Sequence, residues 1–176
     1  MPVFRLPCGS HFALSKETPM TAIDPRAALR APIDFAHKNL VNDLNALTEE
    51  QAAGSTKEGA RSAISVVAEC ASVNSRLAEF VSTGTFPSLT PEQRAAFYAG
   101  ITTRAQALSA LEASVQTLRA AIDACPPEKW GEPVTDIFGM PSTVFGIANF
   151  ASMHMMYHDG QLNYLHTVHG DTEMHW

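Results

Sequence analysis

The segment FASMHMMYHDGQLNYLHTVHG, residues 150–170, carries the feature on which the interpretation of this sequence depends. His154 and His158 are four residues apart, so on a helix they project from one face, one turn apart. The neighbouring positions on that face are apolar: Ile147, Ala151, Leu162 and Leu165. Because the apolar stripe of a helix faces the interior, we expect both imidazoles to point into the protein.

Two inward imidazoles stacked on one helix are difficult to accommodate in a protein core. Each brings a hydrogen-bond donor and an acceptor into a low-dielectric interior, where unsatisfied polar groups are costly. A metal ion bound by both residues resolves the difficulty, and this spacing occurs in other helical metal sites. A single inward histidine is usually a hydrogen-bonded core residue, so spacing alone leaves the metal-binding and core interpretations open.

A carboxylate on an earlier segment is the candidate third ligand. Glu69 shares a mostly apolar stripe with Val66 and Phe80, where a lone carboxylate is costly unless it is paired or bound to a cation. Two histidines and one carboxylate with open coordination positions suit zinc, nickel, iron or manganese. The alternatives are an ion pair of Glu69 with Arg61 or Arg76, or a position at the edge of the fold.

Hydrophobic periodicity predicts four helices, at about residues 32–47, 59–81, 91–125 and 142–169. Pro32 suits a first helical turn, and Thr90 with Gln93 forms the pattern of a capping box. The third helix is expected to be one long element with a local weakness near Gly100. Residues 128–141 are expected to form a loop, with a short extended piece at 134–138. Four helices with short connections predict an all-α four-helix bundle.

The bulk composition fits one cytoplasmic domain. The chain has 176 residues, 45% of them hydrophobic, and a net charge of −6 without a lysine or arginine cluster, which argues against nucleic acid as a partner. No apolar run is long enough for a membrane span, and the first residues lack a signal-peptide core. Its cysteines, Cys8, Cys70 and Cys125, have no paired spacing, which excludes a thiolate zinc finger and fits a reducing cytosol.

These features predict a division of the chain into three parts. Residues 1–25 are expected to be an N-terminal extension, 26–170 the bundle, and 171–176 a short polar tail on the surface. His166 and His169 lie near the end of the last helix, where a partly cationic imidazole interacts favourably with the helix dipole. Cys70 is expected to be a small core residue.

The last helix resembles that of the DinB-like (DinB/YfiT) superfamily. The resemblance rests on an H-x-x-x-H pair followed by Gly-Gln, here His154, His158, Gly160 and Gln161, and on the segment 63–77, which is similar to the second helix of that family. It covers roughly residues 33–169. It implies a four-helix bundle in which three histidines hold a divalent metal, two of them corresponding to His154 and His158.

The third ligand position departs from the family pattern. The family's histidine on the second helix stands in a context like Ala-His-x-Ala, and here that context reads Ala68-Glu69-Cys70-Ala71. Either Glu69 replaces the imidazole as an oxygen ligand, which we favour, or the site is weakened or lost. Cys70 is a weaker candidate, one residue from the matching position.

The resemblance also implies a range of functions. The family includes thiol-dependent S-transferases, an isomerase that uses a low-molecular-weight thiol, and many members of unknown role. We therefore expect a metal-dependent hydrolase or thiol S-transferase that acts on a small molecule, with Tyr157 and Gln161 supporting the metal ligands by hydrogen bonds. The alternatives are a bundle that binds a metal or small ligand without turnover, or a structural dimer whose metal site has decayed. A homodimer is also expected.

Overall fold

The computed structural model describes residues 23–176. Most of the predicted N-terminal extension, including Cys8, therefore lies outside the described residues. The division into an extension, a bundle and a tail stays a prediction.

Four long helices form the bundle, and the prediction of an all-α fold is confirmed for the described part of the chain. They are α1 (Pro25–Ala46), α3 (Ala63–Thr83), α5 (Arg104–Ala124) and α6 (Val144–Val168). Two shorter helices connect them, α2 (Glu49–Ala53) and α4 (Pro91–Ala99). After α5 come a 3-10 turn (Pro127–Gly131) and two strands, β1 (Pro133–Thr135) and β2 (Pro141–Thr143).

The arrangement of the long helices places α3 beside α6. Helix α3 packs against α5 and α6, and α1 packs against α6 and α5, so the four helices form a closed ring. The fully buried side chains at its centre come from all four helices: Leu29, Leu40, Val67, Leu111, Leu118, Met155 and Leu162. Burial of these apolar side chains is the main stabilising contribution of the ring.

The predicted start of the first helix at residue 32 is wrong. Helix α1 begins at Pro25, where Asp24 is the N-cap and accepts a hydrogen bond from the Arg26 amide. Pro32 lies inside the helix. A proline there removes one backbone hydrogen bond, but its neighbours Leu29 and Ile33 are both buried. Core packing on this face accounts for the continuation of the helix through the proline.

The predicted long third helix is also wrong, because the structure divides it. Helix α4 ends before Gly100, and α5 begins after Thr103, which forms a capping box with Gln106. A further capping box, Thr48 with Gln51, begins α2 in a region where the sequence analysis expected no helix. Each box satisfies amide groups that a helix start would otherwise leave unpaired.

A β-hairpin leads directly into the last helix, where a loop was expected. Strands β1 and β2 are antiparallel, with Val134 opposite Ser142. Gly139 has a φ of +81° in the turn, a conformation that favours glycine. The strands are three residues each, too short to give an alternating pattern in the sequence. Thr143 then caps α6 by accepting from the Gly146 amide, which fixes where the helix begins.

The bounds of α3 and α6 differ from the predictions by only a few residues. Helix α3 begins after the N-cap Ser62 and ends at Gly84, whose φ of 78° provides the left-handed C-cap. Across residues 23–176, no helix combines the length and apolar character that a membrane crossing requires.

Candidate metal centre

The histidine pair lies between α6 and α3. His158 is buried and the side chain of His154 is 13% exposed, so both imidazoles lie within the bundle. Their Nε2 atoms are 3.2 Å apart, and the two rings meet edge to face with centroids 4.5 Å apart. Ala151 and Leu162, on the same stripe of α6, are fully buried and keep this face of the helix against the core.

A hydrogen bond that His158 donates to Gln161 fixes the orientation of the imidazole. His158 Nδ1 is 2.8 Å from Gln161 Oε1, and because a carbonyl oxygen only accepts, Nδ1 carries the proton. The lone pair of His158 is then on Nε2, which faces His154. Arg61 Nη2 is more distant from Nδ1, at 3.5 Å. Gln161 is one of the two residues expected to support the site, and its side chain sets the tautomer of His158.

Burial keeps both imidazoles neutral. Loss of hydration, followed by the nearby His158 and Arg61, lowers the pKa of His154 to about 4. Burial also lowers the pKa of His158, against the raising effect of its bond to Gln161. Two neutral imidazoles each keep one lone pair, which is the form that binds metal ions.

Glu69 faces both histidines but is not the buried, unpaired carboxylate that the sequence analysis expected. Its Oε1 is 3.9 Å from His154 Nε2, and its Oε2 is 3.8 Å from His158 Nε2. The side chain is 29% exposed and forms an ion pair with Arg61. Of the alternatives considered for Glu69, the ion pair with Arg61 is the one present in the structure, because the segment before α3 brings Arg61 beside the carboxylate.

Cys70 is a second candidate for the third ligand. Its side chain is fully buried, as expected of a core residue, and its Sγ lies with one nitrogen of each histidine in a group whose atoms are all within 4.8 Å of one another. Burial raises the pKa of the thiol to about 12, so the sulfur is protonated at neutral pH. Ligation by Cys70 would require a cation to displace that proton.

Tyr157, the other residue expected to support the ligands, is mostly exposed. Its ring contacts His158 with centroids 5.1 Å apart and nearly perpendicular planes. This places the phenol at the outer edge of the pair and covers one side of the imidazole.

Two pockets flank the pair along α6, and no sequence pattern predicted either of them. The first, here called the Arg76 pocket, lies toward the beginning of α6. Its lining is mainly apolar, including Val73, Leu77, Phe86, Phe138 and Phe150, and its charged residues are Arg76 and Asp136. Phe150 joins it to the site, since its ring centroid is 5.5 Å from that of His154. The second, the Arg61 pocket, lies toward the end of α6 and is lined by Thr56, Arg61, Gly160, Gln161, Tyr164 and Leu165.

A pair of buried carboxyl groups lies behind the site. Asp159 points to α1, away from the histidines, as its position next to His158 predicts, and it faces Asp43. Burial, and then the charge of Asp43, raises the pKa of Asp159 to about 7. Asn163 donates a hydrogen bond to Asp43. Two carboxyl groups in contact favour sharing one proton, which ties α6 to α1.

The donor set fits a divalent transition metal. It offers two neutral imidazole nitrogens that face each other, with a carboxylate near both and a buried thiol beside them. His154 Nδ1 is buried and has no hydrogen-bond partner within residues 23–176. Since the lone pair of His158 is on Nε2, His154 Nε2 donates in the 3.2 Å contact between the two rings. A metal ion between the two Nε2 atoms would replace this hydrogen bond, with the His154 proton moved to the unpaired Nδ1.

The comparison with known families agrees with this fold. The sequence model of the DinB superfamily matches residues 33–162. The chain belongs to the DinB superfamily. No curated protein matches the sequence significantly.

Solved structures with the same fold are distant in sequence. The DinB-superfamily protein described here is similar to a DinB-family protein from Exiguobacterium sibiricum, with 20% identity and a TM-score of 0.64, covering 87% of this chain and 97% of that one. A DinB-like protein from Bacillus subtilis has 17% identity and a TM-score of 0.59, with 83% and 96% covered.

A mycothiol-dependent maleylpyruvate isomerase is also similar, with 17% identity and a TM-score of 0.64. The match covers 80% of this chain and 61% of the isomerase. The chain therefore spans about three-fifths of that enzyme, and the likeness concerns the helical fold.

Proposed function

We propose that this DinB-superfamily protein binds a divalent transition metal, zinc, nickel, iron or manganese, through His154, His158 and Glu69, and acts on a small molecule by hydrolysis or thiol transfer. The observation that carries the proposal is the pair of neutral imidazoles with Nε2 atoms 3.2 Å apart and a carboxylate within 4 Å of both. Such a metal lowers the pKa of a bound water or thiol and so supplies a nucleophile at neutral pH.

The residues around the pair have distinct roles in this proposal. Gln161 holds the proton on His158 Nδ1 and so keeps Nε2 available as a ligand. Arg61 balances the charge of Glu69. Phe150 and Tyr157 cover the imidazoles on two sides and limit the access of water to them.

The Arg76 pocket supports a small substrate with an apolar body and an anionic group. Its walls are mostly apolar, and its two charged lining residues are Arg76 and Asp136. The Asp136 carboxylate already accepts the Phe138 and Met140 amides, so Arg76 is the charged group left for a ligand. Arg76 Nε is buried and lacks a hydrogen-bond partner among the described residues, so an anionic ligand would satisfy a donor that is otherwise costly to bury.

The Arg61 pocket supports a separate cofactor site. It opens at the other end of the histidine pair and presents Arg61 and Gln161 beside His158. A thiol cofactor in this pocket and a substrate in the Arg76 pocket would approach the pair from opposite sides. The similar isomerase is mycothiol-dependent, which makes a low-molecular-weight thiol a reasonable cofactor class.

One observation favours the alternative of a decayed metal site or a non-catalytic binding bundle. The Arg61 ion pair already compensates the charge of Glu69, so the carboxylate is not costly in the absence of a cation. Metal content measured in variants separates this alternative from the proposal.

The test is the metal content of the full chain purified without an affinity tag. The wild type should carry one more equivalent of transition metal than His158→Ala, and the exposed control His169→Ala should match the wild type. A comparison of Glu69→Gln with Cys70→Ser then identifies the third ligand. Unchanged metal content in His158→Ala would overturn the proposed site. If Glu69→Gln keeps the wild-type metal content while His158→Ala loses metal, Glu69 is not a ligand of the proposed site.

Turnover is tested separately with a low-molecular-weight thiol and a chromogenic electrophile that carries a carboxylate. The proposal expects transfer that His158→Ala abolishes and that Arg76→Gln weakens chiefly by raising KM. A binding role would be favoured if the protein binds metal but neither transfers the thiol to, nor hydrolyses, any carboxylate ester or aryl halide tried. A homodimer and a cytoplasmic location also remain proposals.

A further inference from the structure

A second group of metal-binding side chains lies at the end of α6, outside the site described above. The chain turns back after the helix: Gly170 has a φ of 84°, and the Asp171 amide donates to the carbonyl of His166 at 2.9 Å. Residues 171–176, which the sequence analysis expected to be a simple surface tail, thus return over α6. This turn brings His175 to within 4.7 Å of His166, measured between ring centroids.

Three donor atoms converge at this turn. Asp171 Oδ2 is 3.6 Å from His166 Nδ1 and 2.9 Å from His175 Nε2. The three side chains each offer one ligand atom, and these atoms all lie within 4.8 Å of one another. For metal–ligand bonds of about 2.0–2.1 Å, the edges of a tetrahedron measure about 3.3 Å, and the two distances from Asp171 Oδ2 are already close to that value.

The tautomer of His166 is already suited to ligation. Its Nε2 is 2.9 Å from the carbonyl oxygen of Asp43 on α1, and this contact is buried. Because the carbonyl accepts, Nε2 carries the proton and the lone pair of the neutral ring is on Nδ1, the atom that faces Asp171. A histidine ligand whose other nitrogen donates to a backbone carbonyl is the usual arrangement around bound metals.

We propose that His166, Asp171 and His175 form a second site for a divalent transition metal of the zinc, nickel or cobalt class. The ion replaces the His175–Asp171 hydrogen bond with bonds to both residues, and water completes its coordination. The site fastens the C-terminal tail to α6. His166 is two helical turns beyond His158, about 12 Å along the axis, so the two sites bind separate ions.

The arrangement has a simpler explanation that the experiment must separate from metal binding. The His175–Asp171 hydrogen bond and the contact between the two rings would by themselves hold the tail in place. In that case the cluster would have no measurable affinity for an ion, and His175 would serve only as a tail anchor.

The test is Zn²⁺ binding by the full, tag-free chain in a His154→Gln background, which removes the first site. Competition with a chromophoric chelator should detect one remaining equivalent. His175→Gln should weaken that binding at least about tenfold, and His169→Gln, an exposed histidine of the same segment, should leave it unchanged. No remaining equivalent, or equal losses in His175→Gln and His169→Gln, would overturn the inference.

Tryptophan fluorescence provides a second readout that does not depend on stoichiometry. The chain has two tryptophans, Trp130 and Trp176, and Trp176 directly follows His175. Co²⁺ at the second site should quench Trp176 saturably, and the quenching should disappear in Trp176→Phe and in His175→Gln. Saturable quenching that persists in a folded His175→Gln variant would contradict the proposed ligand set.

Discussion

At the scale of the residue, the histidine pair depends on one amide oxygen. Gln161 accepts the Nδ1 proton of His158, and this leaves Nε2 directed at His154 and Glu69. Without that acceptor, the buried imidazole would be free to adopt the other tautomer or to turn its Nδ1 toward Arg61. The proposed metal site therefore depends on Gln161 as well as on the ligands themselves.

Gln161→Leu should weaken metal binding about 10–100-fold, because it removes this acceptor while keeping a side chain of similar size. The measurement is a competition titration with a chromophoric chelator. Gln116→Leu, the same change at an exposed position of α5, is the matched control and should have no effect. Equal affinities in the Gln161→Leu variant and the wild type would show that Gln161 does not position His158.

His37, between α1 and α5, predicts a pH dependence of stability that is independent of the metal. Burial lowers its pKa from 6.5, against the raising effect of Glu112. The unfolded chain then binds a proton more readily than the folded one. The contribution of His37 is fully present above about pH 6.5 and is lost as the pH falls through the lowered folded pKa.

The corresponding experiment is urea unfolding at pH 7.5 and pH 5.5. His37→Gln should lose less stability between these values than the wild type, because glutamine does not titrate. His169→Gln, which changes an exposed histidine, should behave like the wild type. A wild-type dependence retained in full by His37→Gln would show that other groups account for it.

At the scale of the element, capping residues determine where the shorter helices begin. Thr48, Thr90 and Thr103 each form a capping box, and only the one at Thr90 was used in the sequence analysis. The pattern at Thr103 and Gln106 was available in the sequence, but the apolar periodicity across residues 101–122 favoured one long helix. Local hydrogen bonding at the cap outweighed that periodicity.

Thr103→Ala should destabilise the protein by about 1 kcal/mol, because it removes the side chain that accepts from the Gln106 amide. Chemical denaturation measures the change. Thr117→Ala, at an exposed position inside α5, should cost much less, since alanine is the better helix former there. A loss from Thr117→Ala as large as that from Thr103→Ala would contradict the role of the cap.

At the scale of the whole molecule, the fold was predictable and the environment of the site was only partly so. Apolar spacing in α3 and α6 was sufficient for the bundle and for the inward direction of His154 and His158. The sequence offered Arg61 and Arg76 as ion-pair partners of Glu69 but could not choose between them, because the choice depends on where the segment carrying Arg61 runs before α3. The Arg76 pocket also required the hairpin to be placed against α3 and α6.

The proposed metal would contribute to global stability, because its ligands lie on two different helices of the ring. An ion held by α3 and α6 binds the folded chain and not the unfolded one, so a free metal concentration of 100 times Kd should add about 2.7 kcal/mol to the free energy of unfolding. Denaturation with Zn²⁺ and with a chelator measures the difference. The increase should shrink in His158→Ala and persist in His169→Ala; equal increases in both variants would contradict it.

An ion between the two imidazoles would be seen directly by anomalous diffraction from crystals grown with the metal. The proposed site predicts a difference peak about 2.0–2.1 Å from the Nε2 atoms of both His154 and His158, with a ligand atom of Glu69 at a similar distance. A map without a peak there, with the two Nε2 atoms still in direct hydrogen-bond contact, would contradict it.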